Sequence, residues 1–394
     1  MRKAVIVGGV RSPIGSFGGS LSQISAADLG GLVLGEAQRR AGIEASQVDE
    51  VIMGCIGQIA EDAYIARRCA IHAGLPVSIP ALSVNRLCSS GLQAIVSAVH
   101  TIASGCAEIV MAGGTENMSQ YPYYVRKGRW GYRLGHGTLE DGLMMALTDP
   151  FSNAHMGITA ENVAERCGIA REEQDRFACE SQQKAASALI EGRFRDQILP
   201  VPLAQPKGEP KIFDRDEYPR PETTLEKLSA LKPAFKANGT VTAGNSSGIN
   251  DGAAAVAMMS ADLAQRLSYP EYYLIRASAA VGVDPSLMGL GPITSIQKTL
   301  KIAGVRMEEI DLIELNEAFA STTLAVIQEL GMEREKVNVN GGAIALGHPV
   351  GATGCILAVK LMAEMKRREA RLGLISLCVG GGQGLTAILE RIAS

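Results

Sequence analysis

The sequence is poor in the features that mark several large classes of protein. Its eight cysteines stand singly, at positions 55, 69, 88, 106, 167, 179, 355 and 378, and no CxxC pair occurs. Neither a zinc site nor a disulfide framework is indicated, so no metal is expected. No GxGxxG motif leads directly into a helix, which argues against a dinucleotide cofactor.

Excess charge of one sign is also lacking. There are 38 Lys and Arg residues against 41 Asp and Glu residues, and the formal net charge is −3. Without a basic field or a run of like charge, a nucleic-acid partner is not expected.

Long apolar runs are absent as well. No segment approaches the ~20 uninterrupted apolar residues that a membrane helix needs. Residues 1–10, MRKAVIVGGV, begin with basic residues, but Gly8, Gly9 and Arg11 end the apolar run early. This pattern predicts a first buried strand rather than a signal peptide, and we expect a cytoplasmic protein with no membrane partner.

What the sequence contains is a regular alternation of short apolar runs and helical patterns. With 394 residues, of which 46% are hydrophobic, two or three domains are expected. The apolar runs predict strands at residues 4–7, 50–53, 109–112, 274–277, 311–314 and 373–378. Residues 89–105 show the spacing of one buried helix face. The pattern is typical of an α/β protein.

A faint internal duplication is visible in this alternation. In each half, a strand is followed by a Gly-rich turn into a helix, and then by a strand that runs into glycines. The first half contains NRLCSSGLQAI and AGGTE; the second contains GGAIALGHPVGATG and CVGGGQG. Between them, residues 117–244 hold Tyr-rich and Pro-rich pieces and predict an inserted loop domain.

Three side chains in Gly-rich surroundings point to chemistry. His348 lies among five glycines in residues 337–354, Cys378 begins the turn CVGGGQG, and Cys88 follows a predicted strand. Small residues let a substrate approach backbone N–H groups. Because one thiolate can carry an acyl group while a second moves a proton, two thiols and an imidazole indicate thioester chemistry.

Each of these residues also has a plainer interpretation. A thiol at a helix N-terminus can have a lowered pKa, which would make Cys88 a nucleophile, but a buried capping cysteine would fit the same position. His348 could be a surface residue in a turn, and Cys378 a core thiol at a strand end. Asn316, where the strand DLIEL ends, could hold a water or a carbonyl.

The predicted loop domain carries a loose group of basic residues. They are Lys207, Lys211, Arg215, Arg220, Lys227, Lys232 and Lys236. Such a group usually forms a solvent-exposed face of the protein. The alternative is a binding site for a phosphate-bearing part of a substrate.

Taken together, these segments resemble the thiolase family, and within it the biosynthetic branch. The ordered motifs are VRSPIGSFGG, NRLCSSGLQAI, AGGTENMS, HMGITAENVA, TVTAGNSSGINDGAAA, GVDPSLMGLGP, NEAFA, GGAIALGHPVGATG and CVGGGQG. The resemblance implies a five-layered αβαβα fold made of two duplicated halves. We expect one half at residues 1–117 and 246–269, the inserted loop domain at 118–245, and the other half at 270–394.

The resemblance also implies roles for individual residues. Cys88 would carry the acyl group, His348 would activate it, and Cys378 would act as acid and base on the substrate α-carbon. Asn316, through a water, would join His348 in stabilising one thioester oxyanion; the N–H groups of Cys88 and Gly380 would stabilise the other. The positions that match coenzyme A contacts are His155, Met156, Arg220, Phe235, Ala243, Ser247, Met288 and Phe319.

The implied reaction is the reversible condensation of two acetyl-CoA molecules to acetoacetyl-CoA and CoA, within fatty acid metabolism. No cofactor beyond coenzyme A thioesters is expected. Residues 121–137, YPYYVRKGRWGYRLGHG, resemble the family's tetramerisation loop and imply a homotetramer, a dimer of dimers.

Departures from the family pattern leave the acyl-chain preference open. Ser89 and Ser12 stand where the family commonly has glycine and threonine, and residues 144–157 are longer than in the most acetoacetyl-specific members. A degradative 3-ketoacyl-CoA thiolase that prefers longer chains is therefore the alternative. Cys378 argues against a decarboxylating ketosynthase, and the full set of catalytic residue types argues against a non-catalytic lipid carrier.

Overall fold

The structure, a computed structural model, describes residues 2–393, and one large sheet organises it. The strands are β1 Ala4–Arg11, β2 Gly15–Ser16, β3 Glu50–Gly54, β4 Ala81–Val84, β5 Ile109–Asn117, β6 Tyr123–Tyr124, β7 Glu140–Asp141, β8 Val201–Leu203, β9 Lys211–Phe213, β10 Asn250–Ser260, β11 Glu271–Gly282, β12 Leu312–Leu315, β13 Leu372–Val379 and β14 Gln383–Ala393. The helices are α1 Ala26–Arg40, α2 Ile65–His72, α3 Ser90–Ser104, α4 Gly142–Ala146, α5 Met156–Cys167, α6 Arg171–Ile190, α7 Leu225–Ser229, α8 Ala261–Arg266, α9 Gly291–Ala303, α10 Ala320–Leu330, α11 Ala343–Leu346 and α12 Thr353–Arg368.

The order of the strands carries the internal duplication. Neighbouring strands run β12-β13-β14-β11-β1-β10-β5-β3-β4, and the short β2 pairs with β10. Apart from β4, which has no counterpart in the second half, the order is mirrored about the contact of β1 with β11, where only Val5 faces Leu274 and Ile6 faces Tyr273. On each side an antiparallel pair is followed by parallel strands, β5 with β3 and β13 with β12. The duplication seen in the sequence is therefore present in the fold.

Helices separate and cover the two halves of the sheet. The buried faces of α3 and α12 share one core with strands of both halves, including Ile95 and Ile356. Helices α1 and α2 cover the outer face of the first half, and α9 and α10 cover that of the second. The result is a five-layered αβαβα arrangement, as the resemblance implies.

The predicted strands are all present, and two long strands were missed. β10, NDGAAAVAMMS, is buried at every position, so it shows no alternation of polar and apolar residues. β14, QGLTAILERIA, was missed too, although it follows directly on the predicted glycine turn. The residues 1–10 strand begins at Ala4 and extends to Arg11, while Met1 lies outside the described residues.

Helix α3 is apolar enough to meet the length and hydropathy criteria for a membrane span. Over Leu87–Ser104 the mean hydropathy is 1.2, and half of that window is buried. Its apolar face lies in the central layer between the two halves, where a core helix needs such composition.

The segment between β5 and β10 contains α4 to α7 and two small hairpins. It is tied to the sheet by a fully buried ion pair, in which Arg11 donates from Nη1 and Nη2 to Asp216 at 2.7 and 2.9 Å. Whether residues 118–245 form a domain of their own stays a prediction.

Candidate active site

A narrow cavity of about 80 Å³ lies where loops of the two halves meet. Cys88 comes from the first half, and His348, Cys378 and Gly380 come from the second. The sequence places these residues far apart, and the mirrored sheet brings them to one cavity. Their catalytic roles stay predictions, but their grouping is a finding.

The turn that carries Cys88 holds a strained backbone. Leu87 has a φ of 44°, a left-handed conformation that a leucine rarely adopts. Ser90 fixes this turn, since its hydroxyl donates to the Leu87 carbonyl at 2.7 Å and accepts from the Arg86 N–H at 2.9 Å. Cys88 follows this strained residue directly and lines the cavity, two residues before helix α3 begins.

The expected lowering of the Cys88 pKa at the helix N-terminus is not what the structure shows. Burial of the sulfur raises the pKa of the Cys88 thiol, and this outweighs the N–H groups of Gly380 and of Cys88 itself, which lower it. The helix begins at Ser90, two residues after Cys88, with Ser89 as its N-cap. Cys88 is therefore a thiol at rest, and it needs a base to become a nucleophile.

His348 supplies a neutral imidazole in the same cavity. It is 5% exposed, and burial lowers its pKa to about 4. Its Nδ1 lies 2.7 Å from the Thr353 hydroxyl, and its backbone N–H donates to Asn250 Oδ1 at 2.9 Å. At neutral pH the ring is uncharged and can accept a proton, which is the state that a general base requires.

Asn316 lies beside this imidazole. Its Nδ2 is 3.4 Å from His348 Nε2, and its buried Oδ1 has no partner among the described residues. An unsatisfied buried amide oxygen is costly, so it marks a place for a water or a substrate atom. This geometry fits the role that the resemblance implies for Asn316.

Cys378 ends strand β13 in an apolar surrounding. Burial, with the neighbouring Cys88 as a second cause, raises the pKa of Cys378 to about 12. The glycines that follow form a tight turn, in which Gly381 and Gly382 have φ values of 75° and 82°. A methyl group at Gly382 would meet the Val283 carbonyl at 2.3 Å, so this turn requires glycine.

The residues matched to coenzyme A contacts fall into two connected groups. Met156, Ser247, Met288 and Phe319 line the cavity with the thiols. His155 stacks on Phe235 with ring centroids 4.8 Å apart, and Phe235 meets Phe319 edge to face.

Arg220 and Ala243 do not line the cavity itself. They border a larger open groove of about 520 Å³ together with Tyr218, Lys227 and Gly244. Ala243, which borders the groove, and Ser247, which lines the cavity, are four residues apart in one loop.

The basic group of the sequence is divided in space. Lys227 borders the groove of Arg220, while Lys211 and Arg215 line a separate surface groove. Lys236 forms an exposed ion pair with Glu165. Only Arg220 and Lys227 are therefore placed to meet a phosphate-bearing part of a substrate in this groove.

Several residues of the site were not predicted from the sequence. The side chains that were not predicted are those of Ile56, Met118, Tyr121, Leu143 and Val350, which form the largely apolar wall around Cys88. Ala146 and Leu147, which complete this wall, belong to residues 144–157, the stretch that the resemblance placed at the acyl end of the pocket. Glu116 orders that wall, accepting from the N–H groups of Ile56 and Gly57 and from the Tyr121 hydroxyl. The sequence feature that could have indicated Glu116 is its position in AGGTENMS, where a charged residue follows an apolar strand.

Comparison with known proteins gives consistent matches. Residues 4–262 match the family described as "Thiolase, N-terminal domain", and residues 270–391 match "Thiolase, C-terminal domain". An acetyl-CoA acetyltransferase of Pseudomonas aeruginosa is 51% identical over 392 residues, 99% of this chain and 100% of that protein.

Solved structures agree in fold. The Bacillus anthracis acetyl-CoA acetyltransferase is 45% identical with a TM-score of 0.98, over 100% of this chain and 99% of that one. The human mitochondrial 3-ketoacyl-CoA thiolase in complex with CoA is 41% identical with a TM-score of 0.95, over 99% of this chain and 98% of that one.

Proposed function

Because this chain belongs to the thiolase family, we propose that it is an acetyl-CoA C-acetyltransferase, which condenses two acetyl-CoA molecules reversibly to acetoacetyl-CoA and CoA. The observation that carries this proposal is the grouping of Cys88, His348 and Cys378 in one cavity. Full-length relatives at about half identity bear the same activity in their names, which supports it further.

In the first half-reaction, His348 takes the proton of Cys88. The sulfur then attacks the thioester carbonyl of acetyl-CoA, and the carbon–sulfur bond to CoA breaks. The departing CoA thiolate takes up the proton from His348, and the acetyl group stays on Cys88. A thiolate suits this step because it is both a good nucleophile and a good leaving group.

In the second half-reaction, Cys378 first gives its thiol proton to His348, and the resulting thiolate takes an α-proton from a second acetyl-CoA. A thiolate whose conjugate acid has a pKa of about 12 is a strong base, which matches the weak acidity of that carbon. The resulting carbanion attacks the acetyl carbonyl on Cys88, the carbon–sulfur bond to Cys88 breaks, and the released thiolate takes the proton from His348. Asn316, the Nε2–H of the protonated His348 ring, and the N–H groups of Cys88 and Gly380 offer the donors that the two enolate and tetrahedral oxygens need.

The coenzyme would extend from the cavity into the groove of Arg220. The stacked rings of His155 and Phe235, with Met156 and Met288, offer an apolar path for the pantetheine arm. Arg220 and Lys227 offer positive charge at the far end. No further cofactor takes part in this scheme.

The experiment that tests this function measures acyl-chain preference. Rates of thiolysis with acetoacetyl-CoA and 3-ketohexanoyl-CoA should differ strongly, with acetoacetyl-CoA preferred. Comparable rates, or a preference for the longer chain, would favour the degradative 3-ketoacyl-CoA thiolase instead. The absence of any thiolysis with either substrate would refute both.

We also propose that the enzyme is a homotetramer that works in the cytoplasm. Residues 123–139, which overlap the predicted tetramerisation loop of residues 121–137, support the assembly, since they expose Tyr123, Trp130, Leu134 and Leu139 by 63, 85, 96 and 69%. Exposed apolar surface of this extent is typical of an interface between chains.

A further inference from the structure

The turn after His348 contains a hydroxyl that the proposed mechanism does not use. Thr353 is the first residue of helix α12, and it is 2% exposed. Its Oγ1 lies 2.7 Å from His348 Nδ1 and 2.9 Å from the Pro349 carbonyl oxygen. Of the polar side chains hydrogen-bonded to the His348 ring, it makes the shorter contact, since Asn316 lies at 3.4 Å.

The number of available hydrogens determines which group donates in the two hydrogen bonds of the Thr353 hydroxyl. A hydroxyl has one hydrogen, and the Pro349 carbonyl can only accept. The Thr353 hydroxyl therefore donates to Pro349 and offers its lone pairs to His348, so that Nδ1 of the ring must carry the proton. Nε2 is left without a proton, and it faces the donor group of Asn316.

The opposite arrangement is disfavoured by the same contacts. If Thr353 donated to Nδ1, the ring proton would stand on Nε2 and would face the Asn316 amide nitrogen, which is also a donor. The hydroxyl would in addition abandon its bond to the Pro349 carbonyl. Two favourable contacts would thus be replaced by one.

We propose that Thr353 is a positioning residue, which holds His348 with its proton on Nδ1 and leaves Nε2 free to take the proton of Cys88. This inference rests on the proposed function for its catalytic meaning. During acylation the S–H bond of Cys88 breaks and an N–H bond forms at Nε2, while Nδ1–H stays bonded to Thr353. When the CoA thiolate takes the Nε2 proton, the ring returns to its first state.

A neutral hydroxyl suits this task better than a carboxylate would. A carboxylate would stabilise the imidazolium, and the ring would give its proton to the leaving thiolate less readily. The ionisable side chains that line the cavity together with the ring are the thiols of Cys88 and Cys378 and the phenol of Tyr121, whose hydroxyl donates to Glu116. The Glu116 carboxylate approaches the turn, but it accepts from the Gly351 N–H at 2.8 Å rather than from the ring.

The test compares Thr353→Val, which keeps the shape but loses the hydroxyl, with Thr353→Ser, which keeps the hydroxyl. Alkylation of Cys88 by iodoacetamide, followed by mass spectrometry of its peptide, reports base activation without any substrate. Thr353→Val should slow alkylation at pH 7 by roughly 10- to 100-fold, and Thr353→Ser should restore the rate to within about 3-fold. With acetyl-CoA, kcat should fall while KM stays unchanged, because Thr353 does not border the coenzyme groove.

Thr299→Val is the matched control. Thr299 is also a buried helical threonine whose hydroxyl donates to the carbonyl four residues earlier, but it lies on α9 in an outer layer. Its loss should leave alkylation unchanged. An equal loss in both valine variants, or a failure of Thr353→Ser to restore the rate, would overturn the proposal.

A second measurement needs no variant. Nitrogen-15 spectra of histidine-labelled protein should show His348 with a protonated Nδ1, and five histidines make the assignment practicable. A protonated Nε2 in the resting enzyme would overturn the proposal. Because neither the spectrum nor the alkylation uses acetyl-CoA, a failure of the proposed acetyl transfer would be recognised separately.

Discussion

At the scale of single residues, the proposed mechanism gives the two thiols of the cavity different catalytic roles. Cys88 lies in the strained turn beside the His348 loop, whereas Cys378 lies at the end of β13 among apolar side chains. We predict that Cys88→Ala abolishes covalent labelling by radioactive acetyl-CoA, because Cys88 is the thiol that carries the acetyl group in the proposed mechanism, whereas Cys378 transfers a proton. Cys378→Ala should keep the labelling but lose condensation and α-proton exchange by several orders of magnitude.

Cys355→Ala is a suitable control for this pair, since that thiol is buried in the central core away from the cavity. It should retain both activities. If Cys378→Ala condensed acetyl-CoA at close to the wild-type rate, its role in proton transfer would be wrong.

The neutral state of His348 has a consequence for stability. Its pKa is about 4 in the folded chain and 6.5 for an ordinary histidine, so the unfolded chain binds more protons between these values. The contribution of His348 to the free energy of unfolding is therefore fully present above pH 6.5 and is lost as the pH falls towards 4. The whole change amounts to about 3 kcal/mol.

Urea unfolding of wild type and His348→Gln, at one protein concentration between pH 4.5 and 7.5, measures this contribution. The stability of the wild type should fall more steeply towards acid than that of the variant. His100→Gln, which replaces an exposed histidine, should leave the slope unchanged. Equal slopes for wild type and His348→Gln would contradict the prediction.

The residues of the site could be predicted from the sequence, but their ionisation could not. Glycine-rich motifs pointed to Cys88, His348 and Cys378, since close approach to backbone is a local property. The pKa of Cys88 depends instead on burial by distant residues, such as Met118 and Leu143. Thr353 and Glu116 were missed for a related reason: only the fold shows which groups their side chains meet.

At the scale of elements, helix α12 links the His348 turn to the sheet of the second half. Lys360 on α12 donates to Glu314 on β12 at 2.8 Å and to the Gly341 carbonyl at 2.9 Å, and both side chains are 3% exposed. We predict that Lys360→Met destabilises the protein by about 3–5 kcal/mol, because it leaves the Glu314 carboxylate buried without its partner.

The double variant Lys360→Met with Glu314→Leu should recover most of this loss, because both buried charges are then removed. Lys336→Met is the control, since Lys336 pairs with Glu333 at the surface and its loss should change stability by less than about 1 kcal/mol. Thermal and urea unfolding check both expectations. A double variant as unstable as Lys360→Met would show that lost packing, and not the unpaired charge, is the cause.

Helices and strands could be predicted from the sequence where their apolar residues recur at helical or strand spacing. Helix α3 has apolar residues at helical spacing and was placed within one residue of its observed bounds. Strand β10 has alanines and methionines on both faces, because α1 and α12 cover it on opposite sides. A strand buried on both faces carries no alternation, so its place at the centre of the sheet had to come from the fold.

At the scale of the whole molecule, two apolar surfaces lie where further chains could bind. One follows the free edge of the sheet at β4, where Leu82 is 45% exposed and the nearby Val77 is 77% exposed. The other is formed by residues 123–139, which extend from the body of the first half. A free strand edge with apolar neighbours invites pairing with a second copy, and two different surfaces would allow a dimer of dimers.

The segment of residues 123–139 makes the clearest prediction about this assembly. Trp130 and Leu134 are 85 and 96% exposed in the single chain, which is unfavourable unless another chain covers them. We predict that Trp130→Ser combined with Leu134→Lys converts a tetramer into dimers, because the edge at β4 is unaffected. Analytical ultracentrifugation at micromolar concentration would show the halved mass.

Ile190→Lys, at the end of α6, changes an equally exposed apolar residue outside this segment and should leave the tetramer intact. A double variant that keeps the mass of four chains would show that residues 123–139 do not join the dimers.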